Sequence, residues 1–158
     1  MATNASRIMG TFSAGWRSPE LWLTPIIGLF GLAVFVFRHN SGIIVFDLRD
    51  RVEPFILFGV LPLFVTALAQ GCMRALKWRL WAQVMAAGSI GCLTVGLCYF
   101  FAAPYFPATT PLDAEGRGNI VAVLQYKADV LGLIGALAAM LSTVLTRWLV
   151  RDRTSVQV

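Results

Sequence analysis

The stretch LWAQVMAAGSIGCLTVGLCYFFAA, residues 80–103, decides the fold. It carries no acidic or basic side chain. A helix rising 1.5 Å per residue needs about 20 such residues to cross the roughly 30 Å hydrocarbon core of a bilayer. Three more runs share the pattern: LWLTPIIGLFGLAVFVF at 21–37, PFILFGVLPLFVTALAQGCM at 54–73 and VLGLIGALAAMLSTVLTRWLV at 130–150. None has an ionisable residue near its middle. Helices satisfy every backbone polar group within the segment, which lipid demands. A β-barrel would need alternating segments of about ten residues, and the sequence has none.

Composition leads to the same place. Apolar residues make up 58% of the 158-residue chain, charged residues 13%, and the mean hydropathy is +0.72. Soluble domains hold about 25% charged residues, and a small water-soluble fold cannot hide this much apolar surface. The expectation is an all-α integral membrane protein, one domain over 1–158, with four transmembrane helices and both termini cytoplasmic. Residues 1–19 form an interfacial amphipathic segment, because Ile8, Phe12 and Trp16 recur every fourth residue beside Met9. Residues 104–129 form a long outer loop. GIIVF (42–46) reads as an interfacial or re-entrant piece. Pro25 and Pro62 fall inside spans, where a kink is expected at each.

The net charge of +5 does not indicate nucleic acid here, since the bases flank apolar runs and set topology instead. Arg7, Arg17, Arg74, Lys77, Arg79, Arg147, Arg151 and Arg153 share the face of the termini. Arg38, Arg49, Arg51, Arg117 and Lys127 share the other. The excess places the termini inside. Trp16, Trp22, Trp78, Trp81 and Trp148 fall near span ends on that side, and Tyr99, Tyr105 and Tyr126 near the opposite ends, as an aromatic belt would. Gly88, Cys92 and Gly96 form a small-residue ridge, and Ala128, Gly132 and Ala136 another. Such ridges let helices approach closely, within the chain or against a partner.

The search for chemistry finds little. His39 stands alone, so a haem held by two imidazoles of this chain is excluded. Cys72, Cys92 and Cys98 lack metal-ligand spacing and read as buried inert thiols. HExxH, GxSxG and a phosphate-cradling glycine loop are all missing, and GRGN (116–119) is a turn signal. Asp129 reads as an interfacial helix start beside Lys127. The sequence implies no catalytic residue, no metal and no cofactor. The charged stretch DLRDRVEP, 47–54, links the first two spans. Asp47, Arg49, Asp50, Arg51 and Glu53 make either a solvated turn whose charges pair weakly or a docking site for a partner. Asp47, Arg49, Arg51 and Glu53 alternate, so an extended backbone would put them on one face.

RSPELWLTPIIGLFGLAVFVF, followed by a loop ending in RDRVEPFILFGVLPLFVTALA, resembles the small membrane subunit of tripartite tricarboxylate transporters, the TctB family. That family often opens with an Arg-x-Pro before a first span with spaced glycines, matched by Arg17, Pro19, Gly28 and Gly31. It then carries an Arg and a Gly-Pro-x-x-Phe-Pro element entering the second span. Arg51, Pro54 and Phe55 stand in that slot without its glycines and second proline, and the family's proline-rich ending is missing. The resemblance covers about half of the chain. It implies a non-catalytic small subunit that supports a larger polytopic transport subunit in the bacterial inner membrane and docks a periplasmic binding protein for carboxylates. The alternatives are the small subunit of a TRAP-type transporter, an accessory subunit of a respiratory or photosynthetic complex, and a small membrane enzyme. Bound pigment or haem would mark the respiratory or photosynthetic case, and unaided turnover the enzyme.

Overall fold

The computed structural model describes residues 4–39, 56–102 and 127–155. All regular structure among them is helical: α1 (Asn4–Trp16), α2 (Glu20–His39), a π-helical turn (Ile56–Val60) running into α3 (Leu61–Ala75), α4 (Leu80–Ala102) and α5 (Ala128–Ser155). Three helical segments, Phe58–Ala75, Leu80–Phe101 and Ala128–Arg151, are long and apolar enough to cross a membrane. A fourth joins them if Ser6–Trp16 and Glu20–Phe35, bent by 49° at their break, count as one.

Local signals set the helix ends. Glu20 gives α2 an acid in its first turn, where the helix dipole favours negative charge. The amide of Leu21 donates to Ser18 O at 3.1 Å, so the chain turns into the helix at Ser18-Pro19. α3 closes in a Schellman arrangement: Trp78 N donates to Met73 O at 3.3 Å and Lys77 N to Arg74 O at 2.9 Å, with Lys77 left-handed at φ 56°.

The helices pack antiparallel around two apolar clusters. Leu32, Phe35, Leu63, Val95, Tyr99 and Leu131 form one, and Met73, Ala87 and Ala139 the other. α4 and α5 make the most extensive pairing, α2 lies against α3 and α5, and α1 lies against α3. The outer faces are apolar at helical spacing: Trp22, Ile26, Phe30 and Val34 on α2, and Leu133, Leu137, Leu141, Val144 and Trp148 on α5, are all exposed. Exposed apolar surface this continuous marks contact with lipid or another apolar surface.

Several expectations change. Residues 4–16 form a helix with three faces. Thr11, Ala14 and Gly15 turn toward α3, Ile8, Met9, Phe12 and Trp16 form an exposed apolar strip, and Ser6, Ser13 and Arg17 make a polar edge. The first span runs on to His39. The last helix starts at Ala128 and ends at Ser155, so it takes up the end of the segment read as outer loop. Pro25 does lie inside α2. Pro62, by contrast, stands in the first turn of α3, where its missing N–H breaks no α-helical bond, and the π turn precedes it. None of the cysteines is buried: Cys92 is exposed, and Cys72 and Cys98 are half-buried.

Tyr99 corrects the aromatic-belt reading. It is 4% exposed, inside the first apolar cluster, and its hydroxyl has no partner. A buried hydroxyl without a hydrogen bond carries a desolvation cost. Tyr99→Phe is therefore expected to raise the unfolding free energy by up to about 1 kcal/mol, read from the detergent unfolding midpoint. A loss of stability would mean that the hydroxyl has a partner after all.

Candidate functional site

The site is a stack of polar side chains inside the bundle. Gln70 is its centre, 3% exposed on α3. Its Nε2 lies 2.7 Å from Ala139 O, 2.9 Å from Ser142 Oγ and 2.7 Å from Thr143 Oγ1, and its Oε1 accepts from Thr24 Oγ1 at 2.6 Å. Thr24 and Ser142 are also 2.6 Å apart, and Thr143 donates to Ala139 O at 2.8 Å. One proton assignment satisfies the set: Thr24 donates to Gln70, Ser142 to Thr24, and Thr143 to Ala139 O. Gln70 then has two N–H groups for three nearby acceptors. Three helices are thus cross-linked by neutral hydrogen bonds, worth about 0.6 kcal/mol each between membrane helices.

Similar pairs lie on either side of this layer. Thr66 Oγ1 on α3 is 2.7 Å from Thr94 Oγ1 on α4. Toward the other end, Arg74 Nε on α3 is 3.5 Å from Glu20 Oε1 on α2. The Glu20 side chain is 2% exposed and that of Arg74 is 24% exposed. Gln83 Nε2 donates to Trp78 O at 3.0 Å, and Arg147 Nη2 donates to the same carbonyl at 3.1 Å, which clamps the α3–α4 turn onto α5. Arg74→Gln removes the charge that compensates a buried carboxylate, and a cost of about 1–2 kcal/mol is expected, since the arginine is partly solvated. Adding Glu20→Gln should recover part of it; a double variant no more stable than Arg74→Gln alone would show that the two charges are not coupled.

The ridge residues read from the sequence lie along the α4–α5 seam. A Cβ on Gly132 would come 3.1 Å from Cys92 O, one on Gly96 would come 3.4 Å from Ala128 O, and one on Gly88 would come 3.0 Å from Met140. Ala136 is half-buried on the same helix. The tightest crossing falls between those positions: a Cβ on Gly135 would meet Gly91 O at 2.6 Å, and one on Gly91 would meet the carbonyl of Gly135. A strict four-residue ridge misses this crossing because four residues overshoot a 3.6-residue turn, so a straight contact alternates steps of three and four. Gly88, Cys92, Gly96, Ala128 and Gly132 thus serve contacts within the chain.

Asp47, Arg49, Asp50, Arg51 and Glu53 lie outside the described residues, as do GIIVF (42–46), Tyr105, Arg117 and Tyr126. Among the described residues, no three His, Cys, Asp or Glu side chains gather as a metal would require. The polar stack was not singled out from the sequence, yet it leaves a signal there. Glu20 and Thr24, then Thr66, Gln70 and Arg74, then Ser142 and Thr146, recur every fourth residue within or beside apolar runs. That spacing puts each set on one helix face.

Comparison of the chain with protein-family models, with curated proteins and with solved structures finds no match.

Proposed function

We propose that the chain is the non-catalytic small membrane subunit of a multi-component carboxylate uptake transporter of the tripartite tricarboxylate type. On this reading the four spans cross the bacterial inner membrane with both termini in the cytoplasm. The chain supports a larger polytopic transport subunit, and its loop Asp47–Glu53 docks a periplasmic binding protein.

The observation that carries the reading is the destination of the interior polar groups. Thr24, Gln70, Ser142 and Thr143 bond one another and the backbone, which is how polar side chains hold membrane helices together. A transport path instead lines a water-accessible cavity with ionisable groups. The apolar outer faces of α2 and α5 supply surface for lipid and for a larger helical partner.

Affinity purification of the tagged full-length chain in mild detergent tests the proposal. The expected result is a large polytopic subunit in fixed stoichiometry, together with loss of binding-protein-dependent carboxylate uptake when the chain is deleted. The paired reversal Arg49→Glu and Arg51→Glu should depress uptake while leaving the unfolding midpoint unchanged. Normal uptake in the deletion strain, or turnover by the isolated chain, would refute it.

A further inference from the structure

The turn joining α3 to α4 gathers positive charge and aromatic surface in one short stretch. Lys77, Trp78, Arg79, Leu80 and Trp81 are all exposed. Lys77 stands at φ 56°, directly after the helix cap at Leu76, where glycine is the usual residue. L side chains disfavour that conformation, so the turn would form more readily with glycine. What lysine adds is an ammonium at this end of the bundle.

Arg147 of α5 brings a further charge to the turn. Its Nη2 donates to Trp78 O at 3.1 Å and its Nε to Gln83 Oε1 at 3.4 Å. Both acceptors are neutral. Of the acids whose side chains are described, Glu20 meets Arg74, and Asp129 starts α5 at the opposite end. Neither balances Arg147. The guanidinium belongs to a half-buried residue, and three of its five N–H groups remain for another acceptor. A partly desolvated charge gains from a nearby anion. Lys77 and Arg79 flank Trp78 in the chain, each about 3.8 Å from it between Cα atoms, so both side chains start beside the carbonyl that holds Arg147.

The whole molecule is uneven in the same sense. The eight bases on the face of the termini stand with two acids, Glu20 and Asp152, whereas the opposite face has five bases and six acids. Apolar surface adjoins the charge. Trp81 and Met85, one turn apart, carry the exposed turn onto the outer face of α4, and Trp148, next to Arg147, does so on α5. The ligand that fits both halves is an anion with an apolar body. Tryptophan favours the level of lipid headgroups, and basic pockets at helix ends hold anionic headgroups. An acidic protein segment would match the charge alone.

We propose that the α3–α4 turn and the end of α5 form a binding site for an anionic phospholipid, with its phosphate on Arg147, Lys77 and Arg79 and its acyl chains along Trp81 and Met85. The site rests on the membrane reading of the bundle and not on the transporter role.

The test uses the full-length chain in neutral detergent, with native mass spectrometry counting bound phosphatidylglycerol or phosphatidylcholine. Phosphatidylglycerol is expected to bind at least about tenfold more tightly. Lys77→Gly should weaken it about fivefold. The same variant should leave phosphatidylcholine binding unchanged and the unfolding midpoint equal or higher, since glycine suits the turn. Arg79→Gln should weaken phosphatidylglycerol by a similar factor, and Arg147→Gln by more, because a guanidinium holds phosphate through paired hydrogen bonds. If Arg147→Gln does not fold, the two turn variants decide. Arg38→Gln, at the opposite end of α2, is the control and should leave the preference intact. Equal affinity for the two lipids overturns the site. So does a loss from Lys77→Gly no larger than that from Arg38→Gln, which would mean a diffuse charge effect. Glycerol phosphate that binds as tightly as the whole lipid would make the occupant a soluble anion and likewise overturn it. A chain that stays monodisperse without detergent overturns the membrane reading and the site with it.

Discussion

Gly135→Val is expected to be the most damaging single change in the described bundle, lowering the unfolding free energy by about 3 kcal/mol, at the upper end of overpacking costs. A Cβ at this position would stand 2.6 Å from Gly91 O and 2.6 Å from Val95 Cγ2. Val95 is 0% exposed and cannot swing away. The carbonyl belongs to the backbone of α4. Relief therefore requires α4 and α5 to separate along their whole seam, and between membrane helices that close contact is itself the attraction. Gly10→Ala is the control. Nothing lies within 4 Å of its Cβ, and alanine favours helix, so stability should hold or rise by up to about 1 kcal/mol. Unfolding in mixed detergent micelles reads both. A neutral Gly135→Val would mean that the seam is not closed as described.

Gln70→Leu is the second large effect. It removes the group that links α2 and α3 to α5 at once, through contacts of 2.6 to 2.9 Å. At most three of these contacts are hydrogen bonds at once, and three at about 0.6 kcal/mol each give a loss of about 2 kcal/mol. Not all of the layer is orphaned, because Thr143 keeps its bond to Ala139 O at 2.8 Å and Ser142 can turn its hydroxyl from Thr24 to the same carbonyl, 3.0 Å away. Thr24 loses its acceptor, so Thr24→Val in the Gln70→Leu background should cost less than Thr24→Val alone. Full additivity of the two changes would show that the layer is not one network.

The helices were legible in the sequence because lipid-length apolar runs admit few other structures. The runs at 80–103 and 130–150 became α4 and α5 with small shifts at their ends. Their glycines announced a close pairing, although Gly91 and Gly135, at the tightest point, lay off the four-residue ridge. What the sequence hid was direction. Tyr99 sits near a span end and carries the composition of an interface residue, but the helical phase shared with Val95 turns it inward. Ile8, Phe12 and Trp16 gave one face of α1 and concealed the other, where Gly15 meets Gly71 with 2.8 Å between a Cβ on Gly71 and Gly15 Cα. The polar stack escaped notice because single Thr, Ser and Gln residues barely lower the hydropathy of a span. Only their repeat every fourth residue, and the antiparallel register that matches Glu20 to Arg74 and Thr24 to Gln70, reveals them as one structure.

The proposal requires lipid on the outer faces of these helices, and a cysteine in place of Leu93 probes it directly. Leu93 is 58% exposed, well inside α4. With Cys72, Cys92 and Cys98 replaced by alanine, a nitroxide label on the Leu93→Cys variant in bilayer nanodiscs should collide frequently with dissolved oxygen and rarely with a water-soluble nickel chelate. Frequent collisions with the chelate would put that face in water and contradict the account.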